Sequence, residues 1–254
     1  MLSLTKAAPA GARPLNRAVL FARVRTPIFG GRMTQEQVDG INRIVDYREA
    51  NHPMMRDDAF AYVLATVTWE TGHKMQPVQE GGGETYLRSK SYYPWFGRGL
   101  AQCTWKTNYA RYGCAYNPDP PSKMLEWPKS LLCLFDGMTK GIFTGKKLDD
   151  YFTATKGDFV GARRIINGTD RASTVANIAE TWHDALAAAV AAPVTPNAKV
   201  PVPVAPTSPA ELPAPPVPTE PKTQQPSMTH PRPGKKPVGE RVAAWLKMAF
   251  FKRS

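Results

Sequence analysis

The sequence predicts a mainly α-helical fold, and three observations carry that prediction. Apolar residues recur at helical spacing in several segments, residues that start and stop helices bracket those segments, and strand-like alternation is scarce. The chain has 254 residues, of which 42% are hydrophobic, enough to bury a real core in one or two domains.

Taken in order, residues 1–33 hold six Lys/Arg, no acid, and early Pro and Gly, so they read as a basic N-terminal arm, at most partly ordered. Order is expected from Thr34. There "TQEQVDGINRIVDY" pairs Thr34 with Gln37 as a capping box, and Val38, Ile41 and Val45 follow at helical spacing. A second helix begins at Asp57 or Asp58 and runs through "AFAYVLATVTWET" to Gly72, a common stop residue. More helix is expected from about Leu131 to Met138, around Asp158 to Ile166, and in the Ala-rich run from Ser173. Residues 77–98, rich in Gly, Tyr and Ser, read as a long loop with room for a short hairpin. A loop of that length inside a compact domain is usually functional.

At Pro193 the composition changes to proline every few residues with little to bury. Residues 193–238 are therefore expected to form a disordered Pro-rich linker, and about 45 residues of polyproline II would reach on the order of 140 Å. Residues 239–254 form a basic amphipathic segment: Val242, Trp245, Leu246, Ala249 and Phe250 share a helical face, flanked by Arg241, Lys247, Lys252 and Arg253. The folded module is expected to span 34–192.

The formal charge of +12 sits at the ends. Residues 34–192 carry eighteen charges of each sign, and residues 193–254 carry nine Lys/Arg against three Glu. A neutral centre argues against a nucleic-acid-reading core and for arms that meet phosphates or anionic lipid, or that merely solvate the chain. Cys103, Cys114 and Cys133 form no C-x-x-C pair and have no His at ligand spacing, so they read as reduced thiols. His73 and His183 each stand alone and read as solvated or core histidines, so no metal is expected. The apolar run "AVLFA" is too short for a signal-peptide core, and no run approaches the roughly 20 residues of a spanning helix. Synthesis and storage in a cytoplasm are expected.

The candidate chemistry begins with Glu70. The stripe Phe60, Val63, Leu64, Val67 continues to Glu70 or Thr71, which puts Glu70 at the edge of the core-facing side. Burial beside Trp69 and a place in the last helical turn would both favour a protonated carboxyl and suit proton donation; the competing reading is a carboxylate turned outward at a helix end. Glu80 and Glu84 follow in a glycine-rich loop. Then come Tyr92, Tyr93, Trp95, Phe96, Trp105, Tyr109 and Tyr112, interleaved with Gln102, Thr104 and Asn108. Flat rings meet sugar C–H faces while amides and hydroxyls orient ring hydroxyls; about half of these rings are expected to be core instead. One protonated acid and one ionised carboxylate are the equipment for cleaving a glycosidic bond.

The runs "ETGHKMQPVQE", "FGRGLAQCTWKTNY" and "ARRIINGTD" resemble the glycoside hydrolase family 19 chitinases and, more closely, their phage endolysin relatives. The resemblance covers about residues 25–187, including "RTPIFGGRMTQEQVDGINRIV" and "GMTKGIFTGKKLDDYF". It implies a lysozyme-like, two-lobed helical domain with a central cleft. It implies that Glu70 is the general acid and Glu80 the base, that Gln102 and Thr104 line the cleft with the hydroxyl helping to hold the attacking water, and that Asn108 and Asn167 contact sugar. Tyr93 and Trp95 are the aromatic candidates for stacking on the sugar. Many relatives carry His where this chain has Trp69, and the loop from Glu80 to Gly97 is shorter than in plant chitinases, so Glu84 stays open as an alternative base. An inverting mechanism is implied, with carboxyl groups about 6.5–9.5 Å apart and no metal or organic cofactor.

Both chitin and peptidoglycan glycan strands carry β-1,4-linked N-acetylhexosamines. A neutral module with cationic arms, without a leader or disulfides, fits a phage lysis enzyme released from the host cytoplasm to act on the periplasmic wall. Peptidoglycan is the expected partner, the chain is expected to be a monomer, and residues 239–254 are expected either to meet anionic membrane or lipopolysaccharide or only to solubilise the chain. The alternatives are a chitinase acting on chitin oligomers and a non-catalytic wall-binding virion protein.

Overall fold

The computed structural model describes residues 15–115 and 120–192. Both the Pro-rich linker and the amphipathic segment at 239–254 lie outside the described residues. The fold is mainly helical, as expected.

Order begins well before Thr34. Helix α1 (Arg17–Phe29) starts at Asn16, whose side chain accepts from the Val19 N–H at 3.2 Å, and closes at Gly30 with φ 63°. Leu20, Phe21, Val24 and Ile28 are buried. The arm expected over residues 1–33 is thus, from residue 15 onward, part of the core. Its basic residues are partly committed as well, since Arg17 bonds Asp46 at 2.8 Å and Glu49 at 3.0 Å on α2. Two features hid this helix: the acid-free composition, and Pro27, which removes a ladder N–H within the helix.

Helix α2 (Gln35–Asn51) opens with the predicted capping box between Thr34 and Gln37, and Val38, Ile41 and Val45 are buried with Ile44. Helix α3 (Asp57–Glu70) is buried on every side from Ala59 to Thr68, as a helix is when neighbours surround it. It runs against α7 (Ala172–Ala191), which also receives α1. At the centre of this trio the buried Trp182 indole donates to Thr68 Oγ1 at 3.0 Å, so the ring sits in the core with its one polar atom satisfied.

Between α3 and α6 (Trp127–Lys140) lie β1 (Val78–Gln79), α4 (Gly83–Arg88), β2 (Arg98–Gly99) and α5 (Lys106–Arg111). The long loop expected at 77–98 therefore contains a helix, and its ends close as an antiparallel pair that matches Val78 with Gly99 and Gln79 with Arg98. A second small pair, β3 (Phe152–Thr153) with β4 (Lys156–Gly157), precedes a 3-10 helix over Gly161–Ile165 where the sequence predicted α-helix. Asp158 caps that turn through a 2.7 Å bond from the Gly161 N–H. Three 3-10 helices, these short strands and the two six-residue helices make this half of the chain less regular than the α1–α2–α3–α7 packing.

All three cysteines are free and buried, in agreement with the reduced thiols expected. Burial pushes the Cys133 thiol well above its ordinary range, as does its hydrogen bond with Cys103, so it stays protonated and packs as a small apolar group. No helix among the described residues is long and apolar enough to cross a membrane.

Candidate active site

Glu70 is the last residue of α3. Thr71 ends the helix: its hydroxyl donates back to Val67 O at 2.7 Å and accepts from Met75 N–H at 3.0 Å. Gly72 (φ 56°), His73 (φ 64°) and Met75 (φ 55°) then turn the chain through the left-handed region, which costs non-glycine residues about 1–3 kcal/mol each. Contacts from the two preceding helices hold this turn. The Gln37 side chain donates to His73 O at 3.0 Å, the Gln76 side chain donates to Glu36 O, and His73 Nδ1 lies 3.1 Å from Ile28 O. His73 thus serves the fold.

Gly40 of α2 presses against the same connection, and a Cβ there would collide with the Met75 carbonyl oxygen. Gly40→Ala should therefore destabilise the protein by about 1–3 kcal/mol of overpacking, more than the roughly 1 kcal/mol gained in helix propensity. A melting curve several degrees lower is the expected result. An unchanged or raised Tm would show that the connection yields freely.

The connection delivers Glu80 to the β1–β2 pair. Its N–H donates to Gly97 O at 2.7 Å while its Oε2 accepts from the Gly97 N–H at 2.8 Å, and Tyr92 Oη donates to Oε1 at 2.9 Å. Both carboxylate oxygens are therefore held. Past β2 the chain doubles back, with Arg98 and Cys103 exchanging backbone hydrogen bonds of 3.1 and 2.8 Å, and Gln102 sits at φ 49°. The Gln102 side-chain nitrogen donates to Val78 O and Gly99 O at 3.0 and 3.1 Å. That leaves its oxygen beside Gly97: a Cβ on Gly97 would lie 2.8 Å from Gln102 Oε1 and 3.3 Å from Glu80 Oε2. The Gln102 amide and the Glu80 carboxylate both approach Gly97 closely, so a side chain there would push the Gln102 amide aside.

Thr104 Oγ1 donates to Gln102 O at 2.9 Å, and the Asn108 side-chain amide donates to Thr104 O at 2.9 Å. Asn108 is only 4% exposed, so its amide nitrogen serves the scaffold. Trp105, at φ 75°, is another left-handed non-glycine residue, and its N–H donates to Trp95 O at 2.9 Å. Among the described residues, four of the five non-glycine residues with positive φ (His73, Met75, Gln102, Trp105) fall in the two turns that flank β1 and β2. Strain gathered there is what a functional site shows.

Underneath, Arg98 knits the hairpin together. Its guanidinium lies 3.6 Å over Phe96 and donates to Pro94 O at 3.0 Å and Tyr109 Oη at 3.1 Å. Burial pushes the Tyr109 phenol up, so it remains a neutral partner. The rings divide as expected. Phe96, Tyr109 and Tyr112 are core, whereas Tyr92, Tyr93, Trp95 and Trp105 are half-buried. Trp95 packs on the core and carries Lys106 Nζ 5.0 Å above its ring.

Glu84 stands apart from this convergence. It lies in the first turn of α4 with its side chain 59% exposed, and shares Oε1 between Arg88 at 2.8 Å and Tyr93 Oη at 3.0 Å. No described contact joins it to Glu80, Gln102 or Glu70.

Glu70 differs most from expectation in its surroundings. An apolar pocket beside Trp69 was the expected setting; instead Arg163 Nη1 donates to Glu70 Oε1 at 2.8 Å, with side-chain exposures of 3% and 16%. Arg163 arrives from the 3-10 helix 93 residues away and anchors its own Nε on Asp170 O at 2.9 Å. Among the described residues no hydrogen bond is made to Glu70 Oε2. Asn167 is half-buried on the same turn, its N–H donating to Arg163 O at 2.9 Å. Sequence reasoning gave no role to Arg163 or Arg98, and counted Tyr92 only among the rings that could meet sugar. Arg163 stood inside a quoted motif, but nothing local marked its partner.

A cavity of about 560 Å³ opens elsewhere, among Asn51, Met54, Met55, Ala59, Leu148 and Phe152 near the first turn of α3. Thirteen helical steps, about 20 Å, separate that end from Glu70. Polar groups converge around Glu80, Gln102 and Gly97, which makes that loop a candidate site; Glu70 lies at the other end of the connection and meets Arg163 instead. No family model matches the chain, and no curated protein matches it.

Proposed function

We propose that the chain is a glycoside hydrolase that cleaves β-1,4 linkages in peptidoglycan glycan strands by an inverting general acid/base mechanism, in a lysozyme-like two-lobed domain with a central cleft. The observation that carries this reading is the convergence of Glu80 and Gln102 on Gly97, on one side of a short connection whose other end is Glu70.

In this reading the Glu70–Arg163 ion pair is the state of the free enzyme, and Glu70 takes up a proton at Oε2 when substrate binds, which it delivers to the leaving glycosidic oxygen while Arg163 fixes Oε1. Glu80, held as an acceptor by two donors, takes a proton from a water attacking the opposite face of the sugar. Gln102 and Thr104 border that water's position, and Asn167 approaches the sugar from the Arg163 turn. The reaction needs no metal or organic cofactor.

The basic ends and neutral centre of the sequence support peptidoglycan over chitin as the polymer. We place the action at the host wall during phage lysis, with residues 239–254 meeting anionic lipid or lipopolysaccharide. Liposome sedimentation with and without that segment tests the last point, equal pelleting removing it.

The test of the activity is to incubate purified peptidoglycan and chitin separately with wild type and Glu70→Gln, then assay new reducing ends. Glutamine still accepts from Arg163, so the fold is retained. Wall cleavage that the substitution lowers by about 10²–10⁴-fold is expected. A fully active variant would remove Glu70 from the mechanism, and a wild type inert on both polymers would leave a binding protein.

A further inference from the structure

We infer that Tyr92 is a positioning residue for the Glu80 carboxylate, one of two donors that fix the plane in which Glu80 meets its water; the inference rests on the hydrolase reading above.

Glu80 sits at the mouth of the β1–β2 pair on a side chain with three rotatable bonds. A base on such a chain works only if its reactive oxygen is aimed. Gly97 N–H holds Oε2 at 2.8 Å and Tyr92 Oη–H holds Oε1 at 2.9 Å. With the backbone donor alone, the carboxylate can still swing about that single bond. The phenol is the second point that removes the swing.

Tyr92 is itself held firmly enough to do this. Its ring meets Trp105 edge to face, with centroids 5.5 Å apart and planes at 74°. Its carbonyl accepts from the Trp95 N–H at 2.7 Å, and the Trp95 carbonyl accepts from Trp105 N–H at 2.9 Å, so ring and backbone belong to one tied loop. Burial pushes the phenol above its usual range, and the Glu80 carboxylate pushes it further, so the hydroxyl stays protonated and remains a donor. Neighbouring Tyr93 points its hydroxyl at Glu84 instead, on an exposed carboxylate already shared with Arg88. The two adjacent tyrosines thus hold different carboxylates, and only that of Tyr92 lies beside Gly97 and Gln102.

The test compares wild type, Tyr92→Phe, Glu80→Gln and the double variant as full chains on soluble wall-glycan fragments, with kcat, KM and Tm measured for each. Phenylalanine keeps the ring against Trp105 and deletes only the donor. We expect kcat to fall about tenfold with KM and Tm unchanged, and no further loss when the substitution is added to Glu80→Gln, since there is then no carboxylate to aim. A kcat within twofold of wild type would overturn the inference, as would a loss that follows a lowered Tm, or one that multiplies with Glu80→Gln. A Glu80→Gln enzyme of full activity would instead remove Glu80 as the base, and this inference with it, while a wild type inert on these fragments would bring down the hydrolase reading.

Discussion

A chain that begins at Thr34 will fail to form a stable fold. Burying Leu20, Phe21, Val24 and Ile28 contributes about 1.5–3 kcal/mol each, so roughly 6–12 kcal/mol together, against a total stability of about 5–15 kcal/mol for a native domain. The four side chains themselves are at most 9% exposed. Their removal also uncovers α7, where Phe29 meets Trp182 with ring centroids 6.3 Å apart and where Asn16 N–H bonds Ala189 O at 3.0 Å. Further, α1 supplies the Ile28 carbonyl that meets His73 in the turn after Glu70. Circular dichroism melting should show a cooperative transition for the full chain and none for the truncated one. Equal melting temperatures would mean that α1 is an appendage.

Arg163→Met should cost about 3–5 kcal/mol, because it leaves the Glu70 carboxylate in a mostly buried place without its partner. Methionine fills much of the volume, so the loss is chiefly electrostatic, with the bond to Asp170 O adding to it. Glu70→Gln alone should cost far less, since glutamine keeps an acceptor for the guanidinium. The informative species is the double variant. Once Glu70 is neutral, Met at 163 no longer strands a charge, so Arg163→Met/Glu70→Gln should be more stable than Arg163→Met by at least about 1 kcal/mol. Denaturant unfolding of the four species measures this coupling, and strictly additive losses would show that the pair is not an energetic unit.

The parts of the fold legible in the sequence were those written in local signals. The Thr34–Gln37 capping box, the apolar run of α3 and the Ala-rich run of α7 each declare themselves within about twenty residues, and each is where it was expected. Helix α1 has a stripe of the same kind, but a proline and an acid-free composition made it look like an arm. Helices α4 and α5 have six residues each, too few for a period to show, and the β1–β2 strands have two.

For the site, the candidate carboxylates were legible as residue types, and their surroundings were not. Glu70 was expected among apolar groups because its helix is apolar; its partner Arg163 comes from a distant turn that only tertiary packing brings near. The need for a small residue at position 40 is likewise invisible locally, because it is set by the Met75 backbone across space, as is the close approach of Gln102 and Glu80 to Gly97. Glu84 looked equivalent to Glu80 in the loop, and their difference is made by Gly97 and Tyr92 on one side and by Arg88 and Tyr93 on the other.

The central claim is that Glu80 directs a water onto the face opposite the proton delivered by Glu70. The configuration of the first-formed reducing end tests it most directly, read by proton NMR in the first minutes of digestion of a β-1,4-linked wall-glycan fragment, before mutarotation. The account predicts the α anomer; an initial β anomer would contradict it.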